Sequence, residues 1–282
     1  MPIVTRESDG NYEFQRLVSR ERDGNYEWVR AVTRESDGFY EWDLPGGGLY
    51  LVDDREDYAR AFDLQGNRQA SRDIDLDIGA RGGHDWHAAG ATPTRLLFYN
   101  AASIRVGTSF FSYINIWDRS GNRMAPEDIQ VPNSRFTGMA VTPTKIVLVD
   151  NSSSAGRILL REMNHDGSGS RGLLLSNRGD FQRYVFEGAT ATSDRILLLD
   201  NRNFVIRSLN HDLSISSFAI WARYTGQAQA MFSTNDRVFI VKRTGAIEAY
   251  DHSGNRQAGD DFTVPTNIGT TSSNIWRGAV AL

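Results

Sequence analysis

The chain has 282 residues, 40% of them hydrophobic and 23% charged, a balance that fits one or two globular domains. Its formal net charge of −4 supplies no basic field for nucleic acid or anionic lipid, and no apolar run approaches the ~20 residues of a membrane-spanning helix. Cysteine is absent, which excludes disulfide frameworks, thiolate metal sites and cysteine nucleophiles.

The chain opens with MPIVTRESDGNYEF, where no basic segment leads into an apolar one, so no cleavable signal is read there. Residues 4–44 repeat a 14-residue unit: VTRESDGNYEFQRL, VSRERDGNYEWVRA and VTRESDGFYEWDL. The Asp-Gly pairs at 9–10, 23–24 and 37–38 are hairpin signals between alternating strands. The alternation places Tyr12, Phe14, Arg16, Val18 and Arg20 on one face, then Tyr26, Trp28, Arg30, Val32 and Arg34, then Tyr40 and Trp42. Three readings stand for this stretch: a small antiparallel sheet packed beside the main domain, a sixth divergent blade of it, or a self-associating sheet with open edges. Pro45-Gly46-Gly47-Gly48 marks the hinge, giving domains of 1–45 and 46–282.

From Gly48 a longer unit recurs. A short aliphatic run appears as Leu49–Val52, Leu96–Tyr99, Ile146–Val149, Ile196–Leu199 and Val238–Val241. Each leads to a second strand closed by a turn: FDLQGNRQ, IWDRSGNR, EMNHDGSG, SLNHDLSI and AYDHSGNRQ. A third run follows, such as DIDLDI or EDIQVP, and then a small-residue strand: HAAGATPT, TGMAVTPT, EGATATSD and, at the C-terminus, RGAVAL. Four short strands joined by Gly, Asn and Asp turns form a meander, and no window has the period of a substantial helix. Five units with a period of about 47 predict an all-β, five-bladed β-propeller, with six blades if residues 4–44 supply one. The chain enters the first unit at its second strand and ends on a match to the innermost strand. That offset lets the C-terminal strand, Trp276–Leu282, complete the first blade.

The units FDLQGNRQASRDIDLD, IWDRSGNRMAPEDIQV and YDHSGNRQAGDDFTV resemble a group of bacterial propeller repeats of the form YDxxGNRxxxxDFxL, similar in layout to NHL-type propellers. The likeness covers residues 48–282 and is weakest in the fourth unit, where the GNR turn is lost. It implies the propeller fold, and such proteins resemble extracellular or cell-surface recognition modules, mostly with no known catalysis.

Aligned units give two rings of candidate binding residues at the central opening. Asp53, Asn100, Asp150, Asp200 and Lys242 end the aliphatic runs, while His87, Thr137, Glu187, Gln229 and Arg277 precede the small-residue cores. The oxygen ligands Asp150, Asp200 and Glu187 would suit Ca²⁺; the competing reading is that each Asp caps its own turn. His84-Asp85-Trp86-His87 is the densest chemical cluster, but Trp86 aligns with Phe136, Phe186 and Trp276 as a core aromatic between blades. His165, His211 and His252 fall in hairpin turns and read as solvated. Gly167–Gly172 fits GxGxxG in a hairpin rather than before a helix, so no dinucleotide site is read from it. Arg178-Gly179-Asp180 and the sequon Asn151-Ser152-Ser153 carry little weight.

The sequence therefore favours a non-catalytic binding or structural propeller with no cofactor. It would recognise a protein or glycan, or assemble through Tyr12, Phe14, Tyr26, Trp28, Tyr40 and Trp42. The alternative is a divalent-metal lactonase or lyase with Glu187, Asn100, Asp150 and Asp200 in the channel.

Overall fold

The computed structural model describes residues 4–6, 12–14, 17–20, 26–29, 48–54, 56–78, 85–106, 108–132, 136–150, 159–174, 185–213, 219–268 and 275–281. The chain divides into two compact units, Met1–Gly48 and Leu49–Leu282.

In the first unit, β1 (Val4–Arg6) pairs with β2 (Tyr12–Phe14), and β3 (Leu17–Arg20) with β4 (Tyr26–Val29). Among the described residues these are two two-stranded sheets. The 14-residue period survives in the register: Val4 faces Phe14 as Val18 faces Trp28, and Arg6 faces Tyr12 as Arg20 faces Tyr26. Residues 7–11 and 21–25, where the sequence places its first two Asp-Gly turns, lie outside the described residues. Tyr40 and Trp42 lie outside the described residues.

The second unit holds five four-stranded antiparallel sheets, one per blade, so the chain is a five-bladed β-propeller. The six-blade alternative is thereby corrected: the described residues between 4 and 29 form two-stranded hairpins instead. The innermost strands are β8 (Trp86–Ala91), β12 (Phe136–Val141), β16 (Phe186–Ala191), β20 (Ala228–Ser233) and β24 (Trp276–Ala281). Each packs on the next, and β24 lies between β20 and β8. The last strand, β24, pairs with β5 (Gly48–Asp53), so blade 1 is assembled from both ends of this unit.

The second strands are β5, β9 (Arg95–Val106), β13 (Lys145–Asp150), β17 (Arg195–Asp200) and β21 (Arg237–Lys242). They read as unbroken aliphatic runs because a blade lies against each of their faces; all six residues of β5 are buried. Trp86, Phe136, Phe186 and Trp276 are each 0% exposed at the start of an inner strand, in the wedge between blades. Just beyond them stand Ala88, Gly138, Gly188, Ala230 and Gly278. A β-carbon at Gly138 would come within 2.7 Å of the Ala189 nitrogen, and one at Gly278 within 2.7 Å of the Ala89 nitrogen. Small residues are needed there because neighbouring inner strands meet backbone to backbone.

The third strands are β6 (Tyr58–Asp63), β10 (Ser109–Asp118), β14 (Leu159–Asn164), β18 (Val205–Asn210) and β22 (Ala246–Asp251). The outer ones are β7 (Ile74–Asp75), β11 (Ile129–Pro132), β15 (Arg171–Leu174), β19 (Ala219–Arg223) and β23 (Phe262–Thr263).

One end of the propeller consists of tight turns locked by their own side chains. In blade 2 the Asp118 carboxylate accepts the backbone N–H groups of Ser120 (2.9 Å) and Asn122 (2.8 Å) and the Asn122 amide (2.8 Å). Asp63 and Asp251 repeat this in blades 1 and 5. The glycines of these GNR turns have φ near +85°, which explains their identity. Each turn arginine then braces an aspartate: Arg123 bonds Asp128 at 2.7 Å while Asp128 takes the Ile116 N–H at 3.1 Å. Arg68–Asp73 and Arg256–Asp261 are the same device. The arginines also stack on Phe62, Trp117 and Tyr250, the aromatics two positions before the second residue of each turn.

The fourth unit, which lost the GNR turn, keeps its geometry. Leu213 takes the glycine's place with φ +59°, bonds its N–H to the Asn210 carbonyl at 2.9 Å, and buries its side chain. The turn histidines are also not simply solvated, as the sequence suggested. His165, His211 and His252 are half-buried, and each directs Nε2 to the carbonyl of Thr142, Thr192 or Thr234 at 2.9–3.2 Å. Arg119 does the same to Thr92 at 2.8 Å in blade 2. Those threonines close the inner hairpins, each Oγ1 accepting the N–H three residues on. Blade 1 has Leu64 at this position, and its inner strand pair is joined by no turn.

Candidate functional site

At the opposite end the strand register brings the two candidate rings together. Trp86 pairs with Asn100, Phe136 with Asp150, Phe186 with Asp200, Ala228 with Lys242 and Trp276 with Asp53. In every blade the register then slips by one residue, so His87, Thr137, Glu187, Gln229 and Arg277 each occupy a β-bulge. One half-buried or exposed polar side chain per blade therefore surrounds the mouth of the ring.

Each bulge side chain is held by another group. Thr137 Oγ1 donates to the Phe186 carbonyl of the next blade at 2.6 Å. Gln229 Oε1 accepts the Trp276 N–H of the next blade at 3.2 Å. The His87 ring nitrogen Nε2 lies 2.6 Å from Asp85 Oδ1, and Arg277 Nε lies 3.3 Å from Asp54 Oδ2. Glu187 Oε2 accepts an N–H of Asn201, whose amide is itself fixed by the Tyr224 hydroxyl at 2.7 Å and the Ala228 N–H at 3.1 Å.

The ring behind them is buried: Asp53 and Asp200 are 0% exposed, Asn100 1%, Lys242 6% and Asp150 8%. Buried charge persists only with partners. Asp200 Oδ1 accepts the Arg202 N–H at 3.2 Å, an Asx cap, and its carboxylate lies 3.5 Å from Arg207 Nε. Asp53 faces Arg60 Nε at 4.0 Å in blade 1. Blade 5 reverses the signs, with Lys242 on the second strand bonded to Glu248 on the third at 3.0 Å. Burial lowers the Lys242 pKa, and its ammonium also sits 4.6 Å from the Tyr224 ring centroid. Blade 2 carries two amides instead. Asn100 Oδ1 accepts the Asp85 and Ala102 N–H groups at 3.2 and 2.9 Å, leaving Nδ2 buried without a hydrogen bond. Asn115, on the third strand, donates Nδ2 to Asp128 at 2.8 Å and leaves Oδ1 likewise unsatisfied.

No group of three or more His, Asp or Glu side chains among the described residues is placed to hold a metal ion. His84 lies outside the described residues, while Trp86 is buried and donates its indole N–H to Asp57 at 3.0 Å.

Blade 2 has a feature that the sequence reading missed. Its second and third strands run past the ring as a hairpin, with Ile104 facing Phe111, Arg105 facing Phe110 and Val106 facing Ser109. Phe110 is 51% exposed there. The signal was a run from Arg95 to Asp118 with Gly107 as its one strong turn residue. Asp54, Asn201 and Tyr224 were also missed, because they act through the bulge residues rather than in alignment with them.

No protein-family model matches the chain, and no curated protein matches it. Among solved structures it is similar to a chain of a nidogen/laminin complex, at 12% identity over 84% of this chain and 98% of that one, with a TM-score of 0.51. That likeness is one of fold. Virginiamycin B lyase from Staphylococcus aureus aligns at 10% identity over 96% of this chain and 85% of that one, TM-score 0.40. A streptogramin B lyase aligns at 11% identity over 99% and 86%, TM-score 0.42. Among the described residues no helix is long and apolar enough to cross a membrane.

Proposed function

We propose that the protein is a non-catalytic binding propeller that recognises a protein or glycan through the end carrying the bulge residues and the blade 2 hairpin. The observation behind this reading is a contrast inside one chain. The turn end repeats the same threonine turns and Asp–Asn locks from blade to blade, whereas the bulge position holds a different side chain in each of five blades. Repetition marks what closing a blade requires; diversity on a rigid frame suits recognition. Phe110, exposed at the same end, adds an aromatic anchor of the kind that dominates binding energy.

The test is capture from glycan and extracellular-protein arrays by the full-length chain, with two controls. A double variant at the ring end, Phe110→Ser with Gln229→Ala, is expected to lose about tenfold or more in affinity for any captured ligand. A double variant at the turn end, Gln65→Ala with Ser253→Ala, is expected to keep it. The opposite pattern, or turnover of the captured ligand, overturns the reading.

A further inference from the structure

Arginine serves throughout the propeller as a brace: Arg60, Arg95, Arg171, Arg207 and Arg237 pair with acids, as the turn arginines do. Among the described side chains of the propeller, three arginines depart from this. Arg202, Arg223 and Arg243 are exposed, with no ion pair, side-chain hydrogen bond or ring contact among the described residues.

All three stand at the ring end of blades 4 and 5. Arg202 lies in the hairpin between β17 and β18, Arg223 ends β19, and Arg243 follows β21 in the hairpin to β22. Backbone bonds lace these pieces into one surface. Arg223 pairs with Val205, the Tyr224 N–H donates to the Phe204 carbonyl at 3.0 Å, and the Arg243 N–H donates to the Gln227 carbonyl at 3.3 Å. The acids of this region are already engaged: Asp200 by Arg207 and the Asn203 amide, Glu248 by Lys242 and Arg256, Glu187 by the Asn201 amide. Like charges gathered without counter-ions repel one another, and an anionic partner relieves that repulsion.

The same surface exposes apolar side chains. Phe204 is 42% exposed and has φ +52°, a left-handed backbone unfavourable for a bulky residue. The equivalent hairpin position in blade 1 holds Asp57, φ +54°, a residue type suited to that backbone. On β19 a register shift leaves Ile220 opposite Arg207 and Arg223 opposite Val205, so Ile220 and Arg223 share one face of the sheet. Ile220 is 46% exposed.

We infer that this face of blades 4 and 5 docks an acidic, extended segment of a partner protein. Its carboxylates would meet Arg202, Arg223 and Arg243, and its apolar side chains Phe204 and Ile220. The inference rests on the reading of the ring end as the binding face and names the chemistry of the partner. Guanidinium groups suit two-point capture of carboxylates. A peptide that mixes acidic and apolar side chains matches a surface that intersperses cations with apolar groups, whereas a sulfated glycan would leave Ile220 without apolar cover.

The experiment is fluorescence-polarisation titration of the full-length protein with a labelled peptide of about ten residues, in which Asp or Glu alternates with Leu or Phe. The comparison probes are the same peptide with Asn and Gln for its acids, and a heparin oligosaccharide. The acidic peptide is expected to bind, to weaken as salt is raised, and to outcompete the oligosaccharide. Arg202→Gln, Arg223→Gln and Arg243→Gln together are expected to weaken it about tenfold or more. The melting temperature should hold, since none of these side chains braces the fold. Phe204→Asn is expected to weaken the peptide in a protein that still folds, because Asn tolerates a left-handed backbone. The inference is overturned if the acidic peptide does not bind, if the Asn/Gln peptide binds equally, if the oligosaccharide binds more tightly, or if the triple variant binds as the parent does. An array partner lost in the Phe110–Gln229 double variant but indifferent to the triple variant sinks the acidic partner and spares the binding face. Array partners indifferent to both variants sink both.

Discussion

The two ends of this propeller are joined by the same strands, yet they are built by different rules. At the turn end each hairpin satisfies itself: an Asp caps its own turn, an Arg braces an Asp five residues on, and a His or Arg ties the outer turn to the inner one. At the ring end, hydrogen bonds cross from one blade to the next, donated by the Thr137 hydroxyl and accepted by the Gln229 oxygen. The turn end can therefore be copied from blade to blade, while the ring end can change one residue at a time without unlocking a blade. Four substitutions or conditions probe that difference.

The largest effect is expected at the turn end. Gly254 has φ +87°, and a β-carbon there would lie 2.2 Å from the Trp221 carbonyl of blade 4. Gly254→Val should cost about 3 kcal/mol or more in a urea melt, from backbone strain and overpacking together. A smaller cost would mean that the turn end tolerates what its repetition suggests it cannot. Next comes the amide pair of blade 2. Asn115→Arg alone buries a cation opposite a neutral amide and should destabilise by about 2 kcal/mol. Adding Asn100→Asp recreates the Asp–Arg pairing of blades 1 and 4 and should recover that loss, giving a coupling of about 1–3 kcal/mol in a double-mutant cycle. Additive single effects would show that the ring-end braces are not interchangeable between blades.

The acid limb comes third. The Asn122 and Asn255 amides, with neighbouring backbone N–H groups, hold the Asp118 and Asp251 carboxyls below the ordinary carboxylate range. A depressed folded-state pKa gives stability that is present above the unfolded value of about 3.9 and is lost as pH falls through the folded one. Asp118→Asn with Asp251→Asn should flatten the dependence of unfolding free energy on pH below about 4, measured by denaturant titration at each pH. An unchanged slope would remove these turns from the acid transition. The smallest effect is expected at Phe110. Phe110→Ala should change stability by no more than about 0.5 kcal/mol, since the ring is half-exposed. A larger loss would mean that the hairpin belongs to the core rather than to the binding end.

Much of this was legible in the residues. The aliphatic runs, the Gly-Asn-Arg turns and the small-residue strands give five blades, because each reports a local requirement: burial on both faces, a left-handed turn, close backbone approach. The alignment also put the two rings at one level, and it weighed Asx capping of the kind seen at Asn100 and Asp200. What escaped depended on contacts between units. Leu213 looked like a lost turn, because the tertiary packing that buries it and pays for its left-handed backbone is invisible in sequence. The histidines looked solvated because their carbonyl partners lie at least 18 residues away. The reversal of charge between Asp200–Arg207 and Lys242–Glu248 emerges only when strands are set side by side.

The pairing of β24 with β5 has a consequence for biosynthesis. Strands β5, β6 and β7 are made before the rest of the ring, yet their sheet lacks its inner member until residues 276–281 follow them out. Until then the nascent ring is an open arc whose two flanks, Leu49–Val52 at one and the wedge awaiting Trp276 at the other, are uncovered. Emergence of residues 276–281 is then the event that seals the circle, so the risk of misassembly is concentrated in the interval before they follow.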